Sequence, residues 1–287
     1  MKLRESEVLS MRSYYSMKHV IKLMMLSSII TLFATSTYGV PLNFIAGSLK
    51  DCRAIAVGRY GKENALYILV VGVDGRIISS RLYRFWLPYG RQRISVDVMP
   101  YAVVPVNGGY LILGRALPHG GIPYGLIVKV TVQGDLEWAV TLRGESPNYF
   151  VDGIELNRGY VVVGYTYDKE SVWGSNALIA LLSHNGSLVK AISLGVKFYD
   201  DLCYVVINCS DGIVVAGETW MHNVSFSDIF VVKLDFKLRP MWAYTYGGAG
   251  IDRVEAAAFT GRGLLLSLIH ISEPTRPRLI SYAVFCL

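Results

Sequence analysis

Four aspartates recur along the chain, Asp97, Asp152, Asp201 and Asp252, at intervals of 55, 49 and 51 residues. Carboxylates repeated at such a spacing could hold calcium or share acid–base chemistry if a fold gathered them. Recurrence once per unit favours a plainer role, in which each carboxylate accepts backbone N–H groups at a turn. Zinc chemistry needs clustered His or Cys. His119, His184 and His222 instead fall in turns of separate units and read as solvent-facing loop residues. The chain has no His-Glu-x-x-His, no P-loop and no Gly-x-Ser-x-Gly elbow. Gly247-Gly248-Ala249-Gly250 resembles a phosphate loop but follows a strand-like run and leads into no helix, so it reads as a turn. No catalytic, metal or cofactor site is expected.

Cysteine and asparagine chemistry is equally sparse. Outside the carboxy-terminal tail that holds Cys286, the cysteines Cys52, Cys203 and Cys209 are an odd set, which leaves at least one free thiol. Cys203 and Cys209 would stand about 20 Å apart on an extended strand, too far for a bridge. Asn185-Gly-Ser, Asn208-Cys-Ser and Asn223-Val-Ser fit the glycosylation sequon, and all three fall in polar turns. Tyr and Trp are plentiful, but most sit in strand-like runs and are expected to pack in a core.

The elements that position these residues are short β-branched and aromatic runs separated by Asn, Asp, Ser, Gly and Pro, four to a unit of roughly fifty residues. The second run of each unit reaches a Gly, at Gly58, Gly114, Gly164 and Gly217. The third spans 65–73, 125–132, 177–183 and 228–234. A polar turn follows at Asp74-Gly75, Gln133-Gly134, Asn185-Gly186 and Asp235-Phe236, where Gly supplies the positive φ of a tight hairpin. The fourth run carries Trp138 in one unit and Trp242 in another, while the third unit has Lys190 in that register. Pro100, Pro105 and Pro240 are expected at strand starts or edges. Residues 83–93 read as the main insertion.

Four strands per period is the pattern of a β-propeller blade. The expected fold is all-β, with about four blades and a truncated fifth making an incomplete ring. Trp242-Ala-Tyr-Thr-Tyr-Gly-Gly resembles the tandem propeller repeats of secreted microbial proteins with a Trp-x-x-x-Tyr-Gly-Gly signature. The resemblance spans residues 40–265 and implies the fold, whereas propellers host many unrelated functions.

Both ends read differently. Lys18 and Lys22 precede an apolar run from Leu23 to Ala34 and a small-residue exit, which makes residues 1–39 a secretory signal or an uncleaved anchor. Met17 begins a tidier signal, so residues 1–16 are expected to reflect a start placed too early. Residues 266–287 resemble the translation of a transposon-based sequencing adapter. Leu266 to Arg276 and Ile280 to Leu287 match its constant arms, with Pro277, Arg278 and Leu279 as the variable index. Pro274, Pro277, His270 and Cys286 therefore carry no function, and the natural protein is expected to continue beyond Leu265.

The formal charge of +6 falls mostly on these ends: residues 1–40 contribute +3 and residues 266–287 contribute +1, leaving +2 for the body. No electrostatic footprint for nucleic acid remains. The expected function is a secreted or cell-surface binding or scaffold module, contacting a protein or glycan through loops on one propeller face. The main alternative is a secreted propeller enzyme, either quinoprotein dehydrogenase-like or a glycan-active hydrolase. A stalk within a larger surface protein is the third reading, with membrane association through either end. N-terminal sequencing of the precursor is expected to begin at Met17; residues ahead of it would refute the late start.

Overall fold

The computed structural model describes residues 53–60, 65–89, 92–167, 174–195, 199–221, 227–247, 250–259 and 264–271. It also describes the backbone of residues 7–8, 10–13, 20–24, 31–35, 41–50 and 280–285. The described residues are all-β, and the chain divides into two compact units, Met1–Phe150 and Val151–Leu287.

In the first unit, the stretch expected as a signal forms short strands β1 (Glu7–Val8), β2 (Ser10–Ser13), β3 (Val20–Met24) and β4 (Thr31–Thr35). Blade 1 then consists of β5 (Pro41–Lys50), β6 (Arg53–Tyr60), β7 (Ala65–Gly72) and β8 (Ile77–Tyr89). Blade 2 consists of β9 (Gln92–Val106), β10 (Gly109–Pro118), β11 (Tyr124–Thr131) and β12 (Leu136–Leu142). Each blade is an antiparallel meander. The expected insertion over 83–93 extends β8 into a hairpin with β9, pairing Phe85 with Val96 through Tyr89 with Gln92.

Blade 3 consists of β13 (Asn148–Leu156), β14 (Gly159–Tyr167), β15 (Ser175–Leu182) and β16 (Leu188–Leu194). Blade 4 consists of β17 (Tyr199–Cys209), β18 (Gly212–Met221), β19 (Ser227–Leu234) and β20 (Pro240–Tyr246). A further strand, β21 (Ile251–Phe259), opens the next repeat. It pairs with β22 (Leu264–Ile271), which pairs with β23 (Ile280–Phe285), so two strands run through the adapter-like tail.

Consecutive residues at the centres of β10, β14 and β18 are buried, so both faces of each sheet are covered. In the second unit the alternation is explicit. Ile213 and Val215 of blade 4 share a core with Val161, Val163 and Ile179 of blade 3. Val214 and Ala216 point the other way, into a core with Val254 and Leu266. In the first unit Ile68 and Val70 pack with Tyr110, Ile112 and Val128. A fully buried large apolar side chain is worth about 1.5–3 kcal/mol, so these seams supply most of the stabilisation.

Two irregularities repeat. The first-to-second strand pairing shifts register opposite a glycine: Tyr101 is extruded opposite Gly114, and Tyr204 opposite Gly217. These glycines were expected to end their strands, yet β10 continues to Pro118 and β18 to Met221. The reason is steric. A Cβ on Gly217 would run into Leu202 O and the Phe230 ring, the latter at 2.7 Å. Gly marks the bulge and not the stop. Pro100 lies at the same bulge, inside β9 but where that strand pairs only with β10.

The second irregularity is the hairpin between the third and fourth strands. In all four blades the first turn residue accepts the N–H three residues on, while its own N–H reaches the carbonyl four on. The left-handed residue is Gly75, Gly134 and Gly186 in three blades, with φ of 75°, 81° and 84°. Blade 4 departs from the expected Asp235-Phe236 pair: Leu238 takes that position, at φ 57°. Leu238 is 1% exposed and belongs to the blade 3–blade 4 core. Burial worth about 2–3 kcal/mol outweighs the roughly 1 kcal/mol that a non-Gly residue forfeits in this conformation.

Gly217→Ala is expected to lower the unfolding free energy by about 2–3 kcal/mol, as for an overpacked core. Urea denaturation checks this; an unchanged midpoint would remove the steric account of the repeated glycine.

Candidate functional site

The recurring aspartates do not all share a structural position: Asp201 and Asp252 each stand three residues before the residue extruded at the first-strand bulge, and Asp97 stands four before it. Asp97 stands nine residues before the end of β9, Asp152 four before the end of β13, and Asp201 eight before the end of β17. All lie inside strands, with Asp252 in β21. Asn148 takes in β13 the place Asp201 holds in β17, and its Oδ1 accepts the Gly125 N–H. The hairpins between third and fourth strands have caps of their own. Asp235 Oδ1 accepts the N–H groups of Lys237 and Arg239 at 2.8 and 2.9 Å, and Asn185 Oδ1 accepts that of Ser187 at 3.1 Å.

Asp152 bridges two blades: its Oδ2 accepts the Val206 N–H at 2.9 Å. Burial pushes this carboxyl up to about 6, against the lowering pull of hydrogen bonds from Val206 and Gly153. On the opposite face of blade 4, Glu218 is buried, takes two contacts from Arg253 at 3.1 and 3.2 Å, and accepts the Tyr204 hydroxyl at 2.6 Å. That trio ties β17 and β18 to β21 and leaves its carboxylate fully engaged.

The other residues of interest are dispersed. His119 and His184 are exposed in turns, His184 with its ring 5.2 Å from that of Tyr160. Asn185 and Asn208 are exposed, and Cys203 and Cys209 are buried free thiols. Cys52, His222, Asn223, Gly248 and Ala249 lie outside the described residues. Trp138 and Trp242 are half-buried, Trp242 packing against the core that reaches Val254. Gly58, Gly114, Gly164 and Gly217 are buried in second strands. Among the described residues no group of three or more His, Cys, Asp or Glu could hold a metal ion. Among them, too, no helix is long and apolar enough to cross a membrane.

The feature that does gather chemistry is a cleft of about 1110 Å³ at the seam between blades 3 and 4. Blade 3 contributes Leu156, Asn157, Arg158, Leu181, Val189 and Lys190. Blade 4 contributes residues 208–211, at the β17–β18 hairpin, and Asp235, Phe236, Lys237 and Arg239. Why it is open follows from the repeat. At the blade 1–blade 2 seam, the Tyr83 hydroxyl donates to Gly134 O at 2.9 Å and accepts the Leu136 N–H, while Arg81 pairs with Asp135 at 2.7 Å. In the matching registers blade 3 has Leu194 and Ile192, which are too short to span the gap.

Lys190 sits in the register of Trp138, Trp242 and Ser79. Its ammonium reaches the Lys237 and Leu238 carbonyls at 2.8 and 3.4 Å, as Ser79 Oγ reaches Gln133 O at the other seam. The substitution at Lys190 was visible in the sequence, and so was the missing Gly in the fourth turn. Arg158 and Lys237 were not singled out there, and Phe236 only as half of a turn pair, since nothing local marks an ordinary turn residue as facing a cleft.

The two carboxylates of the cleft are spoken for. Asp211 pairs with Lys233 at 2.7 Å, and that hydrogen bond holds its carboxyl below the ordinary range. Asp235 pairs with Arg239 at 2.6 Å and is lowered first by the Arg239 N–H. Neither is poised as a general acid. Phe236 and Val189 are 43% and 61% exposed, giving the rim two apolar surfaces.

No family model matches the sequence. No curated protein matches it. Similarity to solved structures is remote. A thermostable family-43 glycoside hydrolase matches at 9% identity and TM-score 0.47, over 84% of this chain and 88% of its own. An endo-arabinase from Bacteroides thetaiotaomicron matches at 9% and 0.45, over 85% and 93%. A β-1,2-mannobiose phosphorylase from Listeria innocua matches at 12% and 0.46, over 80% and 87%. Likenesses of this size do not bear on activity.

Asp152 makes a pH signature. Its folded carboxyl lies above the unfolded value, so its contribution is fully present below about pH 4 and is lost as pH rises toward 6, by about 3 kcal/mol. Asp152→Asn keeps the acceptor for Val206 without the charge. It is expected to match the parent in melting temperature at pH 4 and to exceed it at pH 7.5. A difference that does not change with pH would refute the assignment.

Proposed function

We propose that this chain is a secreted or cell-surface propeller binding module that engages a glycan or protein partner through blade-end turns. The cleft between blades 3 and 4 carries the reading. It is concave, combines apolar and polar lining, and is the size of a ligand site, roughly 300–1,000 Å³ or a little more. Its carboxylates are neutralised by Lys233 and Arg239, which suits recognition and not acid–base cleavage.

The glycan-active enzyme reading needs a pair of carboxylates with opposed protonation flanking one bond. Asp152 has the raised carboxyl of such a pair, but its oxygen is taken up by the Val206 N–H at a blade seam. Glu218 is held by Arg253 and Tyr204. Neither supports hydrolysis. Secretion follows from the amino-terminal pattern and remains part of the proposal.

The test is affinity electrophoresis of the purified chain in gels cast with microbial surface polysaccharides, with reducing ends assayed in parallel. Retardation without sugar release is expected. Lys190→Trp, which restores the residue type its neighbours carry, is expected to fill the seam and abolish retardation while leaving the circular dichroism spectrum intact. Release of reducing ends, or equal retardation of the variant, would overturn the reading.

A further inference from the structure

The blade 3–blade 4 cleft carries more cation than it neutralises. Among the described residues Arg158 and Lys237 have no carboxylate within ion-pair reach, and the Lys190 ammonium is met only by the two backbone carbonyls. Its acidic residues do not compensate, because Asp211 and Asp235 are each occupied by another cation. Three positive groups therefore face one concavity, while the body of the chain is close to neutral. The excess is local.

A lone inorganic anion is too small for a cleft of about 1110 Å³. The rest of the lining describes a larger ligand. Asn157, Asn208 and Ser210 offer amide and hydroxyl groups, donors and acceptors for hydroxyl-rich material. Phe236 and Val189 present exposed apolar surface beside the cations. A peptide entering as an added strand would need a regular ladder along β16. That edge is interrupted where the register shifts and Val189 is extruded between Leu188 and Lys190.

We propose that this cleft binds an acidic oligosaccharide, its carboxylates met by Arg158, Lys190 and Lys237 and its ring faces by Phe236 and Val189. The inference rests on the binding-module reading and names the ligand class of the same site. Arg158 suits a planar carboxylate, since its guanidinium can donate two parallel hydrogen bonds. The lysines act as point charges, so affinity falls as salt rises.

Titration calorimetry of the purified chain tests this with uronate tetrasaccharides of galacturonate, glucuronate and mannuronate. The comparison probes are the methyl esters of each and a hexaglutamate peptide. At least one tetrauronate is expected to bind, at least tenfold more tightly than its ester and than hexaglutamate. Arg158→Gln and Lys237→Gln, both exposed turn positions, are each expected to weaken it three- to tenfold. Raising salt from 50 to 300 mM should weaken it further. Equal binding of acid and ester would overturn the charge-based inference while leaving the binding-module reading standing. Tighter binding of hexaglutamate would replace the saccharide with an acidic peptide. Binding of no saccharide, charged or esterified, together with no polysaccharide retardation, would remove both.

Discussion

Every described blade has two apolar faces, and the need to cover both of them governs the rest of the structure. Val215 and Val214 are adjacent in sequence, yet one belongs to the core shared with blade 3 and the other to the core shared with the strands after blade 4. A sheet of this kind is unstable alone, because leaving either face wet forfeits several buried side chains at about 1.5–3 kcal/mol each. Hydrogen bonds and ion pairs between blades are secondary. They settle how each seam closes, not whether the blades stack.

The seams therefore form the variable part of the molecule. A core of Val, Ile and Leu is nearly interchangeable from blade to blade, while the turn-end closure is not. Tyr83 and Arg81 close the blade 1–blade 2 seam with hydrogen bonds to the neighbouring turn, whereas Ile192 and Leu194 leave the blade 3–blade 4 seam open beneath Lys190. Because the cores hold each blade regardless, a seam can lose its closing side chains without losing the fold. A concavity lined by turns is the result.

Much of this was legible in the residues. The third strands fall within two residues of the runs read from β-branched and aromatic content, and three of the four hairpins place Gly where Asp-Gly, Gln-Gly and Asn-Gly put it. Misreadings had physical causes. Gly114 and Gly217 looked like punctuation because glycine is a poor strand former; in fact a bulge brings the opposite backbone too close for a Cβ. Asp201 and Asp252 are equivalent as they looked, whereas spacings of 49 to 55 residues hide a displacement of one position at Asp97 and four at Asp152. Leu238 was missed because positive φ is read from Gly, and here side-chain burial overrode it. The cleft depends on two blades at once, so no local pattern could reveal it.

Leu238 has a bearing beyond its own turn. Its side chain is anchored in the core beneath, while Asp235 clasps the N–H groups of Lys237 and Arg239 from above. The loop that offers Phe236 and Lys237 to a visitor is thus fastened at both levels before anything arrives. Little association energy is diverted into freezing that loop, and the entropy of settling there is borne mainly by the guest.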